Sequence, residues 1–203
     1  MAGIVSYSVY VPIYRLSRDE IAKAWDRPSL GGEKAVANFD EDAITMAVAA
    51  ASDCLRGFDR RQIDGLLLAS TTLPYKEKQS AATVAAAIDL NKEIITVDLT
   101  DSIRAGTIAL FIAINMVKSG AMKNALVIAS DCRLGAPQSE FESLFGDGAA
   151  ALLVGNSEVA VNINGSHAIT DEFLGMWRTN DDIFVRSWED RFSISEGYVR
   201  NLQ

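Results

Sequence analysis

Apolar, strand-like runs alternate with helix-like stretches along this chain, and that alternation constrains its fold more than any other feature. Residues 65–72, 94–99 and 125–130 form short runs rich in apolar and β-branched residues, as expected of strands buried on both faces. Stretches with a helical spacing of apolar residues separate these runs. Strands that alternate with helices predict an α/β fold with a mainly parallel sheet between helical layers.

The remaining elements complete this prediction. Residues 4–12 predict a first strand, and residues 105–119 predict a helix that is apolar on nearly every side and therefore buried at the centre of the fold. Residues 149–154 and 159–163 are joined too tightly for a crossover, so we expect an antiparallel hairpin at that edge of the sheet.

The character of the sequence changes at Asp171, after which tryptophan and charged residues become denser. We therefore divide the chain into an α/β part at residues 1–170 and an appended loop and helix segment at residues 171–203.

Composition argues against several classes of function. The chain has 27 Asp and Glu against 19 Lys and Arg, a formal net charge of −8, so it lacks the basic surface that nucleic acids or anionic membranes require. With only Cys54, Cys132 and His167 available, no disulfide framework and no zinc-ligand cluster is expected.

Neither a secretion signal nor a membrane span is expected either. The N-terminal residues lack the basic region and long apolar core of a secretory signal. The longest uncharged helical run, between Arg104 and Lys118, is shorter than the roughly 20 residues that cross a bilayer. We expect a cytoplasmic location.

Residues 97–110 (VDLTDSIRAGTIAL) are the most informative segment, because they predict a strand, a sharp turn and a buried helix that opens with Ala105, Gly106 and Thr107. A residue on such a turn lies at a helix N-terminus, where backbone N–H groups stabilise an anion or a thiolate. An ordinary strand-to-helix connection has the same pattern, so the turn alone does not decide a function.

This turn resembles the nucleophile turn of the thiolase superfamily, and most closely that of hydroxymethylglutaryl-CoA synthases. The resemblance extends in order along the chain, and residues 144–150 (LFGDGAA) are similar to a glycine-rich turn of the type III ketoacyl synthases of that superfamily. Further matches occur at residues 3–5, 10–14, 39–42, 46–47, 119–120, 125–131, 176–178 and 198–200. The resemblance implies the first half of a two-half thiolase-like fold, with a mixed, mostly parallel five-stranded sheet, a central buried helix and helices on both faces.

Transferring the family's catalytic residues onto this sequence leaves each position without its usual chemistry. The nucleophilic Cys falls on Ile103, which can neither ionise nor form a thioester. The general acid/base Glu falls on Thr71, which has no proton-shuttling pKa near neutrality. The family His lies in the second half of the fold, which this chain does not contain.

Other side chains are weak substitutes for the missing nucleophile. Ser102 is displaced by one residue on a tight turn, and its neighbour Asp101 is better suited to capping the helix than to acting as a base. Cys132 follows a strand end, where a lone Cys is ordinarily a small, partly buried residue. We expect Cys54 to be structural and His167 to lie at the surface.

The resemblance also suggests residues that would bind the substrate, which are Arg104, Gly106, Gly146, Asp147, Gly148 and Arg186. Arg104 and Arg186, like Arg133, would offer positive charge to the phosphates of coenzyme A. Equally, these arginines could pair with the many carboxylates of this acidic chain.

These observations imply a hydroxymethylglutaryl-CoA-synthase-like acyl-CoA condensing domain, an acyltransferase that is inactive by the usual Cys mechanism. The alternative is a noncatalytic acyl-CoA-binding or scaffolding subunit of a thiolase-type complex, and noncovalent acyl-CoA chemistry at an oxyanion-stabilising turn also stays open. We expect an acyl-CoA thioester as the small-molecule partner, no bound cofactor or metal, and a homodimer or a pairing with another thiolase-like subunit.

Overall fold

The fold was obtained as a computed structural model, which describes residues 2–100 and 102–202. Its strands are β1 (Gly3–Tyr10), β2 (Tyr14–Ser17), β3 (Glu33–Val36), β4 (Gly65–Ala69), β5 (Ile95–Leu99), β6 (Ala125–Asp131), β7 (Gly148–Gly155), β8 (Val161–Asn162), β9 (Met176–Trp177) and β10 (Arg186–Ser187).

Its helices are α1 (Arg18–Ala24), α2 (Ala43–Cys54), α3 (Ser80–Ala87), α4 (Ala105–Lys118), α5 (Glu140–Leu144), α6 (Asp190–Phe192) and α7 (Arg200–Leu202). A 3₁₀ turn at Arg60–Gln62 precedes β4, and a π-helical segment at Ser193–Val199 joins α6 to α7.

The chain divides into two compact units. The first comprises the described residues of segments 1–15, 35–132 and 146–164, and it contains the main sheet with α2, α3 and α4. The second comprises the described residues of segments 16–34, 133–145 and 165–203, and it contains the β9–β10 hairpin and the helical residues 190–202.

The main sheet has the strand order β5-β4-β6-β7-β1-β8. β4 pairs in parallel with both β5 and β6, whereas β7 pairs antiparallel with β6 and with β1. Because β1 is antiparallel to β7, it runs in the same direction as β4, β5 and β6. The predicted mixed α/β sheet is therefore confirmed.

Each face of this sheet carries its own apolar core. On one face, α2 and α3 pack against side chains that include Leu66, Leu68 and Ile128. On the other face, α4 packs against side chains that include Leu67 and Val127. Successive side chains of a strand point to opposite faces of the sheet, and this alternation divides the apolar residues between the two cores. The predicted helices on both faces are confirmed.

Polar side chains fix where the helices begin. Asp42 and Thr45 form a reciprocal capping box at the start of α2. Asp98 on β5 accepts hydrogen bonds from the backbone nitrogens of Ser80 and Ala81, at 2.7 Å each, and so caps α3 from a neighbouring strand. Since β5 ends directly before the turn into α4, this cap helps to hold that turn in place.

Two expectations about the sheet were wrong. It has six strands, one more than predicted, and the predicted hairpin between residues 149–154 and 159–163 does not form. The reason is that β7 already pairs with β6 and β1 on its two sides, so β8 pairs with Gly3 and Ile4 of β1 instead.

The expectation that α4 is buried all round was also wrong for the described residues. Its sheet-facing residues Ala105, Ala109 and Ala113 are buried, whereas Phe111 on the opposite side is 52% exposed. Phe111 is therefore an apolar residue of α4 that lies at the surface in the described chain.

Among the described residues, no helix has both the length and the apolar character that a bilayer span requires.

Candidate functional site

A pocket of about 350 Å³ opens where the carboxyl ends of β4 and β6 meet the N-terminal end of α4. Within the described residues, small and apolar side chains form most of its wall, and three hydroxyl groups and one carboxylate supply its polarity. Its lining residues are Ala69, Ser70, Ser102, Ile103, Ala105, Gly106, Thr107, Leu110, Val127, Ala129, Asp131, Ala150 and Leu152. All of them belong to the first unit.

Asp131, the last residue of β6, is the polar centre of this pocket. Its Oδ1 atom accepts a hydrogen bond from the backbone nitrogen of Thr71 at 2.7 Å. The same oxygen accepts bonds from three hydroxyls, those of Ser70 at 3.1 Å, Thr71 at 3.1 Å and Thr72 at 3.0 Å. One carboxylate oxygen therefore fixes the whole turn that follows β4 against the end of β6.

The hydroxyl of Thr72 extends this network to Cys132. Thr72 Oγ1 accepts a hydrogen bond from the backbone nitrogen of Cys132 at 3.0 Å, and it lies 3.7 Å from the Cys132 sulfur. Burial raises the pKa of the Cys132 thiol, and the hydrogen bond to Thr72 only partly offsets that effect. The protonated thiol is therefore favoured, which makes Cys132 a poor nucleophile.

Ser102 and Ile103, on the turn before α4, and Gly106, in the first turn of α4, line the pocket. The Ile103 side chain is 64% exposed there, and Ser102 Oγ accepts a hydrogen bond from the backbone nitrogen of Arg104 at 3.1 Å. Asp101, considered as a base or a cap, lies outside the described residues.

Gly106 allows α4 to approach β6 closely. A Cβ atom at Gly106 would lie 3.4 Å from the Cβ of Ala129, which is the limit of ordinary packing. The pocket floor is therefore formed by residues with little or no side chain, and any larger side chain would reduce its volume.

The other glycine-rich segment has a structural role in the described residues. Asp147 donates from its backbone nitrogen to the Ala35 carbonyl at 3.1 Å, and its Oδ2 accepts from the Ala37 nitrogen at 2.8 Å. Gly148 lies close to β1, since a Cβ there would be 3.1 Å from the Tyr10 carbonyl oxygen, and Gly146 lies near Ala35. Gly146 and Asp147 thus hold the start of β7 beside residues 35–37, and Gly148 holds it beside β1. None of these three residues is among those that line the pocket.

The remaining candidates are spread over both units. Arg104 is exposed at the start of α4, and Cys54 is buried in the α2 core, where burial raises its pKa. Arg186 and His167 belong to the second unit. There Arg186 forms an ion pair with Asp182 at 2.5 Å, which agrees with the alternative that this arginine neutralises a carboxylate.

Sequence reasoning missed Asp131 and Ser70. The signal was present, because Asp131 directly follows the apolar run 125–130 and Ser70 lies near the end of the run 65–72. The carboxyl ends of adjacent parallel strands meet at one edge of a sheet, so these polar residues had to be neighbours once β4 and β6 paired. Among the described residues, no group of His, Cys, Asp and Glu is arranged to hold a metal ion.

Comparison with known proteins gives consistent results. Residues 97–172 match the family model described as 3-oxoacyl-[acyl-carrier-protein] synthase III. The chain is 34% identical over its whole length to the hydroxymethylglutaryl-CoA synthase of Methanocaldococcus jannaschii, of which it spans 61%. The chain thus covers only part of the length of this curated relative.

Solved structures share the fold. A hydroxymethylglutaryl-CoA synthase complexed with CoA superposes with a TM-score of 0.88 at 22% identity, covering 96% of this chain and 52% of that one. A structure described as MvaS in complex with 3-hydroxy-3-methylglutaryl coenzyme A gives a TM-score of 0.82 at 25% identity, covering 96% of this chain and 49% of that one.

Proposed function

Because the chain is a homologue of the hydroxymethylglutaryl-CoA synthases and has a thiolase-like fold, we propose that it is a condensing-type acyltransferase domain that binds an acyl-CoA thioester without forming an acyl-enzyme. The observation that carries the proposal is the pocket, in which Ile103 stands at the turn before α4. An isoleucine side chain offers no electron pair to attack a thioester, so covalent acyl transfer through this position does not occur.

The start of α4 is the part of the pocket suited to a thioester. A helix leaves the N–H groups of its first turn without intrahelical acceptors, and those of Gly106 and Thr107 lie in that turn. In the proposed complex they donate to the thioester carbonyl oxygen, and the helix dipole stabilises negative charge there. This contribution requires no nucleophile.

Charge at the rim of the pocket fits the other end of the ligand. Arg104 precedes α4 and is exposed, and we assign it to the phosphates of coenzyme A, which guanidinium groups bind well. Coenzyme A is thus the carrier of a substrate and not a resident cofactor.

Isothermal titration calorimetry with CoA and acetyl-CoA tests the proposal. Ala129→Leu places a larger side chain in the pocket opposite Gly106 and should weaken acetyl-CoA binding at least about tenfold. Ala86→Leu on α3 is the matched control, because Ala86 is exposed and is not among the pocket-lining residues. Absence of any CoA binding by the wild-type chain, or equal effects of the two variants, would contradict the proposal.

A second candidate function, a noncatalytic subunit that docks on a thiolase-like partner, is favoured by an exposed apolar row that begins on β1 and continues into the residues after it. Tyr7, Val9, Val11 and Ile13 alternate along the chain and are 70%, 66%, 52% and 82% exposed. On the opposite side of β1, Ser6 donates to the carbonyl oxygen of Cys54, and Ser8 to that of Ala50, both in α2. Over residues 6–9 the strand therefore directs its two serines inward and Tyr7 and Val9 outward, which is the reverse of the usual pattern.

This apolar ladder, Tyr7, Val9, Val11 and Ile13, is continuous with the pocket. Tyr7 pairs with Leu152 and Val9 pairs with Ala150, and both β7 residues line the pocket. A contiguous exposed apolar patch is typical of an interaction site. In this second candidate, a second copy of the chain or another thiolase-like half covers the ladder, and a clean monomer in light scattering at high concentration would contradict it.

A further inference from the structure

The two oxygens of the Asp131 carboxylate are used unequally. Oδ1 accepts four hydrogen bonds from the turn that follows β4, whereas Oδ2 accepts none from the described residues. Asp131 is also the one ionisable side chain among the pocket-lining residues of the described chain. A carboxylate oxygen can accept further hydrogen bonds, so Oδ2 is an acceptor available to a ligand.

The hydroxyl groups that share the pocket are largely committed elsewhere. Ser70 Oγ donates to Asp131 Oδ1, and Thr107 Oγ1 donates to the Arg104 carbonyl at 2.9 Å. Ser102 Oγ accepts from the Arg104 nitrogen. Ser102 keeps its hydroxyl hydrogen, but no hydrogen bond among the described residues joins it to Asp131. We therefore assign the donor for Asp131 Oδ2 to what the pocket binds, or to water that the ligand displaces.

We propose that Asp131 determines the acyl specificity of this pocket by accepting, through Oδ2, a hydrogen bond from a hydroxyl group on a short acyl chain. This inference rests on the proposed function, since it assumes that an acyl-CoA thioester occupies the pocket. The preferred ligands are hydroxyacyl thioesters.

Three competing classes of acyl group are disfavoured for different reasons. An unsubstituted acyl chain displaces water from the carboxylate and returns no hydrogen bond. An oxoacyl chain presents a carbonyl oxygen, which is an acceptor, to another acceptor. A carboxyacyl chain adds a second negative charge beside Asp131. A site that is built to bind a hydroxyl group rejects analogues that lack it, because its polar group is left unpaired.

The Asp131→Asn variant tests this inference sharply. The asparagine carbonyl oxygen can still accept the hydrogen bonds that hold the turn, while an NH₂ donor replaces the available oxygen. We expect the wild-type chain to bind 3-hydroxybutyryl-CoA about tenfold more tightly than acetoacetyl-CoA or butyryl-CoA, with succinyl-CoA weaker still. The variant should reverse the order of the hydroxyacyl and oxoacyl ligands.

The matched control is Asp89→Asn, which removes the same charge from an exposed position outside the pocket. The Asp89 side chain is 88% exposed, and its backbone φ of 55° suits asparagine. This variant should keep the wild-type order of affinities.

The outcomes separate the two proposals. If no CoA thioester binds, the proposed function fails and this inference fails with it. If all four thioesters bind with equal affinity, or if Asp131→Asn leaves their order unchanged, the inference about Asp131 is overturned while the proposed function stands. Should the Asp131→Asn chain be unstable, the order of affinities in the wild-type chain alone decides.

Discussion

The backbone nitrogen of Thr71 donates a hydrogen bond of 2.7 Å to Oδ1 of Asp131, and this bond joins the ends of two parallel strands at the pocket. From the resemblance to hydroxymethylglutaryl-CoA synthases, we expected the position of the family's catalytic Glu to be Thr71. In this chain that position is a threonine, and its hydroxyl group also donates a hydrogen bond to Asp131. Among the described residues, the pocket therefore has one carboxylate, supplied by β6, and the turn after β4 holds it in place.

Removing that carboxylate should loosen the turn. In Asp131→Ala, the buried hydroxyl of Ser70 and the Thr71 nitrogen lose their shared acceptor, and we expect the free energy of unfolding to fall by about 2–3 kcal/mol. Asp131→Asn, which keeps an acceptor at Oδ1, should change it by less than about 1 kcal/mol. Urea denaturation of both variants measures the difference, and equal losses would show that these hydrogen bonds do not hold the turn.

The thiol of Cys132 should react only under alkaline conditions. Burial raises its pKa, so at neutral pH the protonated form dominates and alkylation by iodoacetamide is slow. Thr72→Val removes the hydrogen bond that lowers this pKa, so the midpoint of the rate against pH should move to still higher pH. Peptide mapping separates Cys132 from Cys54, and the urea-unfolded chain is the reference. If iodoacetamide alkylates Cys132 at neutral pH as fast in the folded chain as in the unfolded chain, this prediction is wrong.

Lysines introduced into the apolar ladder should weaken association of the chain more than they change its free energy of unfolding. Val9 and Ile13 are 66% and 82% exposed, so Val9→Lys with Ile13→Lys removes little buried area and should change the free energy of unfolding by less than about 1 kcal/mol. If a copy of the chain or a partner subunit covers this side of β1, the double variant should shift light-scattering masses toward the monomer. Lys92→Glu, at an exposed position, is a charge-changing control that should leave those masses unchanged.

In the second unit, Gly197 fixes the helical residues 190–202 against Phe173. Gly197 is buried, and a Cβ atom there would collide with the Phe173 ring. Gly197→Ala should therefore cost about 1–3 kcal/mol of local stability and increase hydrogen exchange in residues 190–202. Ser195→Ala, on an exposed position of the same segment, should leave the exchange unchanged. Similar protection in both variants would contradict the assigned role of Gly197.

The sequence alone was sufficient to predict the parts of the fold that depend on local patterns. The apolar runs at β4, β5 and β6 and the helix at α4 lie within a few residues of their predicted bounds, because each is specified by its own periodicity. The pairing of β8 with β1 was not predictable in this way, since it depends on β7 having both of its sides occupied by other strands.

Sequence reasoning selected the turn of the candidate site and did not select its carboxylate. Ser102, Ile103 and Gly106 were selected from one continuous segment, and they do line the pocket. Asp131 is joined to Thr71 across about 60 positions of sequence, and only the parallel pairing of β4 with β6 brings the two together. The proposed roles of Arg104, Gly146, Asp147, Gly148 and Arg186 in substrate binding stay predictions.

Intact-protein mass spectrometry after incubation with acetyl-CoA, on the wild-type chain and on Ile103→Cys in parallel, tests the central claim most directly. A cysteine at this position would lie at the N-terminal end of α4, where the helix favours a thiolate. We expect an unmodified mass for the wild-type chain and the addition of one acetyl group, mapped to residue 103, in the variant. Acetylation of the wild-type chain at a defined pocket residue would contradict the claim that it binds acyl-CoA without forming an acyl-enzyme.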